Sequence, residues 1–167
     1  MASGDHTSSG PEWNLRDPSQ LLATGFGVGL LPKAPGTWGS LLALVVAWEF
    51  AGHIGQLGLL LAGLGAFAIG IRVSNDCIRK FAIEDPKQVV IDEIAGQWLV
   101  LAVLPEPDLI TYVAGFVLFR VFDIFKPWPV SWADREIKGG LGVMVDDVLA
   151  AGYAAVLLWA FSIWMGS

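Results

Sequence analysis

Histidine, cysteine and positive charge are all scarce in this 167-residue chain. Cys77 is the one cysteine, so no internal disulfide can form, and a redox role would need a second thiol. It reads as a plain small residue. His6 and His53 are the only histidines, one in a polar tail and one in an out-facing loop, which leaves phosphohistidine chemistry without a seat. Ten Lys and Arg stand against sixteen Asp and Glu, a net charge of −6, with a pI near 4.7. Nucleic acid requires the opposite, a basic stripe. Residues 1–20 lack the basic start and apolar core of a signal peptide. They hold Asp5, Glu12, Arg16 and Asp17 and read as a flexible polar tail, fraying or lying at a membrane surface through Trp13. There is no internal repeat and no low-complexity tract.

Charge of either sign is sparse. Charged residues make up 16% of the chain and hydrophobic ones 54%, with a mean hydropathy of +0.60. An ordinary soluble domain is about a quarter charged. The length suits one domain, taken as residues 21–167.

Five stretches carry no charge: 34–48, 54–71, 94–104, 109–119 and 148–167. A helix needs about 20 apolar residues to cross a bilayer, with about 17 as a floor. The second and fifth stretches qualify. The third qualifies only if Asp92 and Glu93 enter the membrane edge, and the fourth only if Arg120 and Asp123 do. Ionisable groups at that depth are costly and mark function by default. Small residues, such as Gly58, Gly63, Gly65, Ala150 and Gly152, suit close helix packing in lipid. Several of the eight Trp sit at stretch ends, where interfacial indoles belong. The alternative is a soluble protein with deeply buried helices.

All ten cations fall into three regions: Arg16 and Lys33; Arg72, Arg79, Lys80 and Lys87; Arg120, Lys126, Arg135 and Lys138. The connections 49–53 and 105–108 carry none. Five crossings put the basic regions on one side, and the positive-inside rule makes that side cytoplasmic. The expected fold is an all-α polytopic helical membrane protein of about five membrane-embedded helices.

Four segments gather polar groups. GFGVGLLPKAPGTWGS, residues 25–40, cannot be a regular helix before about Thr37. Thr37 or Ser40 is placed to cap the helix that follows, whose N-terminus is an anion site to which Lys33 adds charge; a plain capped entry loop is the competing reading. In DPKQVVIDEIAGQW, residues 85–98, Asp92 and Glu93 diverge by about 100° on a helix, so they share a site only at a helix end or in a wide cavity. An acidic helix start favoured by the macrodipole also explains them. In FRVFDIFKPWP, residues 119–129, Arg120, Asp123 and Lys126 share a helical face before Pro127 ends the helix. That stripe is either a self-neutralising network or a phosphate clamp beside a metal. From Asp134 a glycine-rich stretch leads to Asp146 and Asp147, which open the last apolar helix as capping residues or as ligands for Mg²⁺.

Together these segments resemble the phosphatidylglycerophosphatase A family. The resemblance spans residues 25–152 and rests on GFGVGLLPKAPGTWGS, DPKQVVIDEIAGQW and FRVFDIFKPWPVSWADREIKGGLGVMVDDVLAAG. It implies Mg²⁺-dependent hydrolysis of phosphatidylglycerophosphate to phosphatidylglycerol and phosphate, in glycerophospholipid biosynthesis at the bacterial inner membrane. It also implies one central helix surrounded by the others.

On this reading Asp92, Glu93, Asp123, Asp146 and Asp147 hold one or two Mg²⁺ and supply the catalytic carboxylates. Lys126 and Arg120 stabilise the phosphoryl oxygens, and Lys33, Thr37 and Ser40 add substrate contacts, all on the cytoplasmic side. The expected partners are the phospholipid substrate and the membrane, with no nucleic acid and no obligate protein partner. Other phosphatase chemistries lack their parts: no Arg lies six residues after Cys77, and neither DxDx[TV] nor a P-loop occurs. The rival from another class is a small transporter or assembly subunit with a conducting charge network. It needs polar residues through the membrane, whereas here the carboxylates collect on one face.

Overall fold

The computed structural model describes residues 11–104 and 108–165. Its elements are helical: α1 (Pro18–Ala23), a 3₁₀ turn (Val28–Leu30), α2 (Pro35–Phe81), α3 (Ile91–Leu101), α4 (Leu109–Phe125), α5 (Val130–Glu136) and α6 (Gly139–Met165).

The first two apolar stretches are joined in α2 without an intervening loop. The helix is interrupted at Gly55 alone, where φ is 64° and ψ −175°. This backbone is open to glycine and strained for any residue with a Cβ. The contacts on α3 give the directions of the two arms. Gly36 and Gly70, one from each arm, approach the start of α3 at Glu93 and Ile91, and Gly63 approaches Leu99 near its end. Gln56, just past the break, donates to the Leu104 carbonyl at 2.8 Å. The arms therefore run antiparallel along α3, with the break at its C-terminal end.

α3 packs against α2, α4 and α6. Leu101, Tyr112, Phe119, Val130, Ala154 and Leu158 form one apolar cluster across α3 to α6. Ala23, Val73, Cys77, Ile91, Ala95 and Met144 form a second, in which Cys77 is buried and free.

α3 and α4 do take in the charged ends that the crossing argument requires, Asp92 and Glu93 in one and Arg120 and Asp123 in the other. At 1.5 Å per residue they reach about 16 Å and about 25 Å, short of a hydrocarbon layer of about 30 Å. Among the described residues two helices are long and apolar enough to cross by themselves, Pro35–Phe81 and Gly139–Trp164. The most apolar part of the first is 17% buried. Val45, Leu57, Leu61, Val113, Val117, Val156 and Ile163 face outward. A water-soluble bundle hides such faces, and contiguous exposed ones fit lipid.

Two expectations differ from the observed elements. The last helix begins at Gly139 rather than near Asp146. A Cβ on Gly140 would lie 2.2 Å from the Ile71 carbonyl oxygen, and the Gly140 N–H donates to the Asn75 side chain at 2.8 Å. The glycines form the tight seat of α6 on α2, so Asp146 and Asp147 fall in its third turn and cap nothing. Residues 13–20, assigned to the polar tail, are built into the fold. Asp17 caps α1, Ser19 donates to Asp76 at 2.8 Å, and the Trp13 ring lies 4.5 Å from that of Phe81.

Candidate active site

Helix ends and tight turns bring the charged residues of α3 to α6 together beside the start of α2. Asp92 and Glu93 occupy the first turn of α3. The first turn of α2 presses against them at Gly36, where a Cβ would lie 1.9 Å from a Glu93 carboxylate oxygen. α4 contributes Arg120 and Asp123 from its last turns and ends at Phe125 because Lys126 adopts a left-handed conformation, φ 44°. Asp134 comes from α5, and Asp146 and Asp147 from α6. These groups line one cavity of about 340 Å³, with Glu84, Asp85, Lys87 and Lys138 also on its wall.

One oxygen each of Asp92, Glu93 and Asp147 lies within 4.8 Å of the others. Two carboxylates about 4 Å apart repel by about 4 kcal/mol at an effective dielectric of about 20. The nearest cation, Arg120 Nη1, is 3.9 Å from Glu93 and is taken up by Asp123 at 2.6 Å. Glu93 Oε2, Asp146 Oδ1 and Asp147 Oδ2 are buried without a hydrogen-bond partner, as is Arg120 Nε. Buried polar atoms are normally satisfied. Clustered, unsatisfied and all oxygen, this donor set fits a hard divalent cation such as Mg²⁺.

Lys126 stands beside this cluster. Its ammonium contacts Asp146 at 2.7 Å and Asp134 at 2.5 Å. Burial pulls the ammonium pKa down, but the hydrogen bonds to Asp134 and Asp146 more than offset it, and the pKa is raised above the ordinary lysine value.

Seven of the residues singled out in the sequence share the cavity: Asp92, Glu93, Arg120, Asp123, Lys126, Asp146 and Asp147. The expected common face of Asp123 and Lys126 does not form, because the left-handed turn at 126 leaves the helix and carries the lysine toward α5 and α6. Lys33, Thr37 and Ser40 do not line the cavity. Lys33 is exposed, with φ 63°. The helix cap is Ala34, with no side-chain hydrogen bond. Pro35 starts the helix two residues before Thr37, so neither hydroxyl sits at a capping position. Ser40 instead donates to the Gly36 carbonyl at 3.0 Å and accepts from Arg120 Nη1 at 3.4 Å. Asp85, Asp134 and Gly36 were not singled out, though each lies in a quoted motif. Asp85 lies in the bend before α3, Gly36 in the first turn of α2 and Asp134 in the short α5, places that spacing along one helix does not register.

Residues 21–162 match the family model of phosphatidylglycerophosphatase A. The chain is 39% identical to the phosphatidylglycerophosphatase A of Escherichia coli (strain K12) over 145 residues, 87% of this chain and 84% of that protein. It is 38% identical to the phosphatidylglycerophosphatase A of Haemophilus influenzae over 152 residues, 91% of this chain and 93% of that protein. It is 40% identical to a putative phosphatidylinositol-3-phosphatase of Bacteroides thetaiotaomicron over 145 residues, 83% of this chain and 89% of that protein. No solved structure matches.

Proposed function

The chain belongs to the phosphatidylglycerophosphatase A family of phosphatases, and from that premise we propose that it hydrolyses phosphatidylglycerophosphate to phosphatidylglycerol and phosphate with Mg²⁺, in phospholipid biosynthesis. The observation that carries the metal is the Asp92, Glu93 and Asp147 cluster with its unsatisfied buried oxygens.

Water attacks phosphorus in line. A P–O bond forms to the water oxygen, the bond to the terminal glycerol oxygen breaks, and that oxygen takes a proton. Bound Mg²⁺ supplies neutralisation of phosphoryl charge. Asp92, Glu93 and Asp147 hold it, with Asp123 and Asp146 beside them. Arg120, oriented by Asp123 and with its Nε still free to donate, stabilises the equatorial oxygens together with Lys126. Fixed donors aimed at developing charge are typically worth about a hundredfold or more each.

The chain is embedded in the bacterial inner membrane through five helical segments, the two arms of α2, then α3, α4 and α6, with α3 central. The cavity faces the cytoplasm. Support comes from the cations Lys87, Arg120, Lys126 and Lys138 on the cavity wall, and from the position of Gly55 and Leu104 at the far end.

The test is phosphate release from phosphatidylglycerophosphate by the purified protein, with Mg²⁺ and with chelator, beside phosphatidylinositol 3-phosphate. Release from the first only, and only with metal, is expected. No release from it with Mg²⁺ sinks the proposal, and preference for the inositol lipid reassigns the headgroup.

A further inference from the structure

We propose that Lys87 and Lys138, at the mouth of the cavity, form a second anion subsite that holds the bridging phosphodiester of the lipid while its terminal phosphate lies on the carboxylate cluster. This rests on the substrate proposed above.

The cavity has a deep end and a mouth. Asp146 and Asp147 are 6% and 3% exposed, whereas the side chains of Lys138 and Glu84 are 63% and 82% exposed. About 340 Å³ lies at the small end of the range for ligand pockets, about 300–1,000 Å³. That is room for a headgroup. The wall is charged on most sides, so acyl chains stay outside against the apolar faces. A phosphatidyl lipid then enters with its phosphomonoester first, and its diester, three carbons behind, comes to rest at the mouth. The mouth therefore has to accommodate one negative charge.

Lys87 is positioned for that charge. Among the described residues no carboxylate comes within 4.0 Å of its ammonium. The turn that bears it is fastened on three sides. The Val89 N–H donates to the Pro86 carbonyl and the Val90 N–H to the Ala23 carbonyl, both at 2.8 Å. Gly29 gives room to the Gln88 carbonyl oxygen, which would lie 2.1 Å from a Cβ there. The glycine-rich segment before α2 thus has a use that does not involve touching phosphate: it seats the Lys87 turn. α3 and the carboxylates follow this turn directly, so the spacing between subsite and cluster is set by a short, anchored piece of backbone. Lys138 also lines the cavity at its exposed end. Its link to Glu84 is 3.4 Å long and exposed, a pair of the weak kind that an incoming anion can displace.

The test uses Lys87→Gln, Lys138→Gln, the double variant and Lys87→Arg in the full-length enzyme in mixed micelles with Mg²⁺. Two quantities are read: steady-state hydrolysis of phosphatidylglycerophosphate, and competitive inhibition by glycerol 3-phosphate, which has the phosphomonoester and no diester. Each Gln is expected to raise KM for the lipid about two- to fivefold, the scale of an exposed ion pair. The double variant combines both effects, kcat is kept, and Lys87→Arg stays close to wild type. The KM difference shrinks as salt rises, and the inhibition constant of glycerol 3-phosphate does not move. An unchanged lipid KM in the double variant overturns the subsite. So does an equal weakening of glycerol 3-phosphate, which assigns the lysines to the phosphomonoester. A wild-type enzyme that fails to cleave the lipid is a separate result and removes the proposed function itself.

Discussion

The Lys126 ammonium lies 2.7 Å from Asp146, twenty residues ahead, and bonds Asp134 as well, while Asp123, three residues behind, pairs with Arg120. One left-handed residue at the end of α4 separates the two cations into two pairs on the same cavity wall. It follows that Asp134 and Asp146, not Asp123, are the proper partners for testing what Lys126 does. If Lys126 only balances their charge, Asp134→Asn together with Asp146→Asn strands it, and adding Lys126→Met restores lost activity. If it contacts the phosphoryl group, Lys126→Met alone lowers kcat by about a hundredfold or more and the triple variant stays inactive. The second outcome is expected. A rescued triple variant makes Lys126 scaffold.

The raised pKa of Lys126 fixes the sign of its pH dependence. A group whose folded pKa exceeds its unfolded value contributes stability fully below the unfolded value, about 10.4 for lysine, and loses it as pH rises through the folded one. Activity and melting temperature should thus show no Lys126-dependent fall up to about pH 10. An alkaline loss near pH 8 that Lys126→Met removes contradicts this assignment.

Gly36 is expected to tolerate no side chain. A Cβ there would meet a Glu93 oxygen at 1.9 Å and approach Arg120 Nη1 at 3.3 Å. Displacing a reacting group by about 1 Å can cost about a hundredfold. Gly36→Ala should therefore lose at least that in kcat/KM with the protein still inserted. Gly65→Ala, where nothing lies within 4 Å of the Cβ, should be silent. Equal activities in the two variants would show that Glu93 need not be held there.

What could be read from the sequence was whatever hydrophobic contrast exposes. Asp92, Glu93, Asp123 and Asp146 with Asp147 stood out because acids beside long apolar runs are expensive, and all of them line the cavity. Resemblance of the quoted motifs identified the family, and the match over residues 21–162 bears this out. Backbone geometry was hidden. Nothing in the spacing of Asp123 and Lys126 discloses a left-handed turn at 126. Gly139 and Gly140 read as loop because their packing partners, Asn75 and Ile71, lie far back in the chain on α2. Thr37 and Ser40 read as caps because the type of residue suited the role, while Pro35 had already started the helix.

The crossing order yields its own prediction. A reporter in the connection between α2 and α3, near Lys87, should read cytoplasmic, and one fused after Ser167 should read periplasmic. One near Gly55 should also read periplasmic, because Gln56 bonds the Leu104 carbonyl away from the cavity. A cytoplasmic reading near Gly55 rules out a hairpin in which both arms cross.

The carboxylate cluster predicts an opposition between activity and metal-free stability. Three carboxylates within 4.8 Å of one another repel by a few kcal/mol when all are charged. Asp147→Asn removes one charge and keeps the shape. Without Mg²⁺ the variant should melt no lower than wild type, although Asp147 is 3% exposed and replacing a satisfied buried carboxylate is ordinarily destabilising. With Mg²⁺ the order should reverse. A ligand at a hundred times its dissociation constant stabilises the folded state by about 2.7 kcal/mol, and wild type should gain that while the variant does not. Activity of Asp147→Asn should be abolished, and Asp92→Asn and Glu93→Gln should behave alike. The decisive measurement is the melting shift on adding Mg²⁺, because it reports the metal independently of turnover. An equal shift in wild type and all three variants places the metal elsewhere and leaves the cluster a structural one.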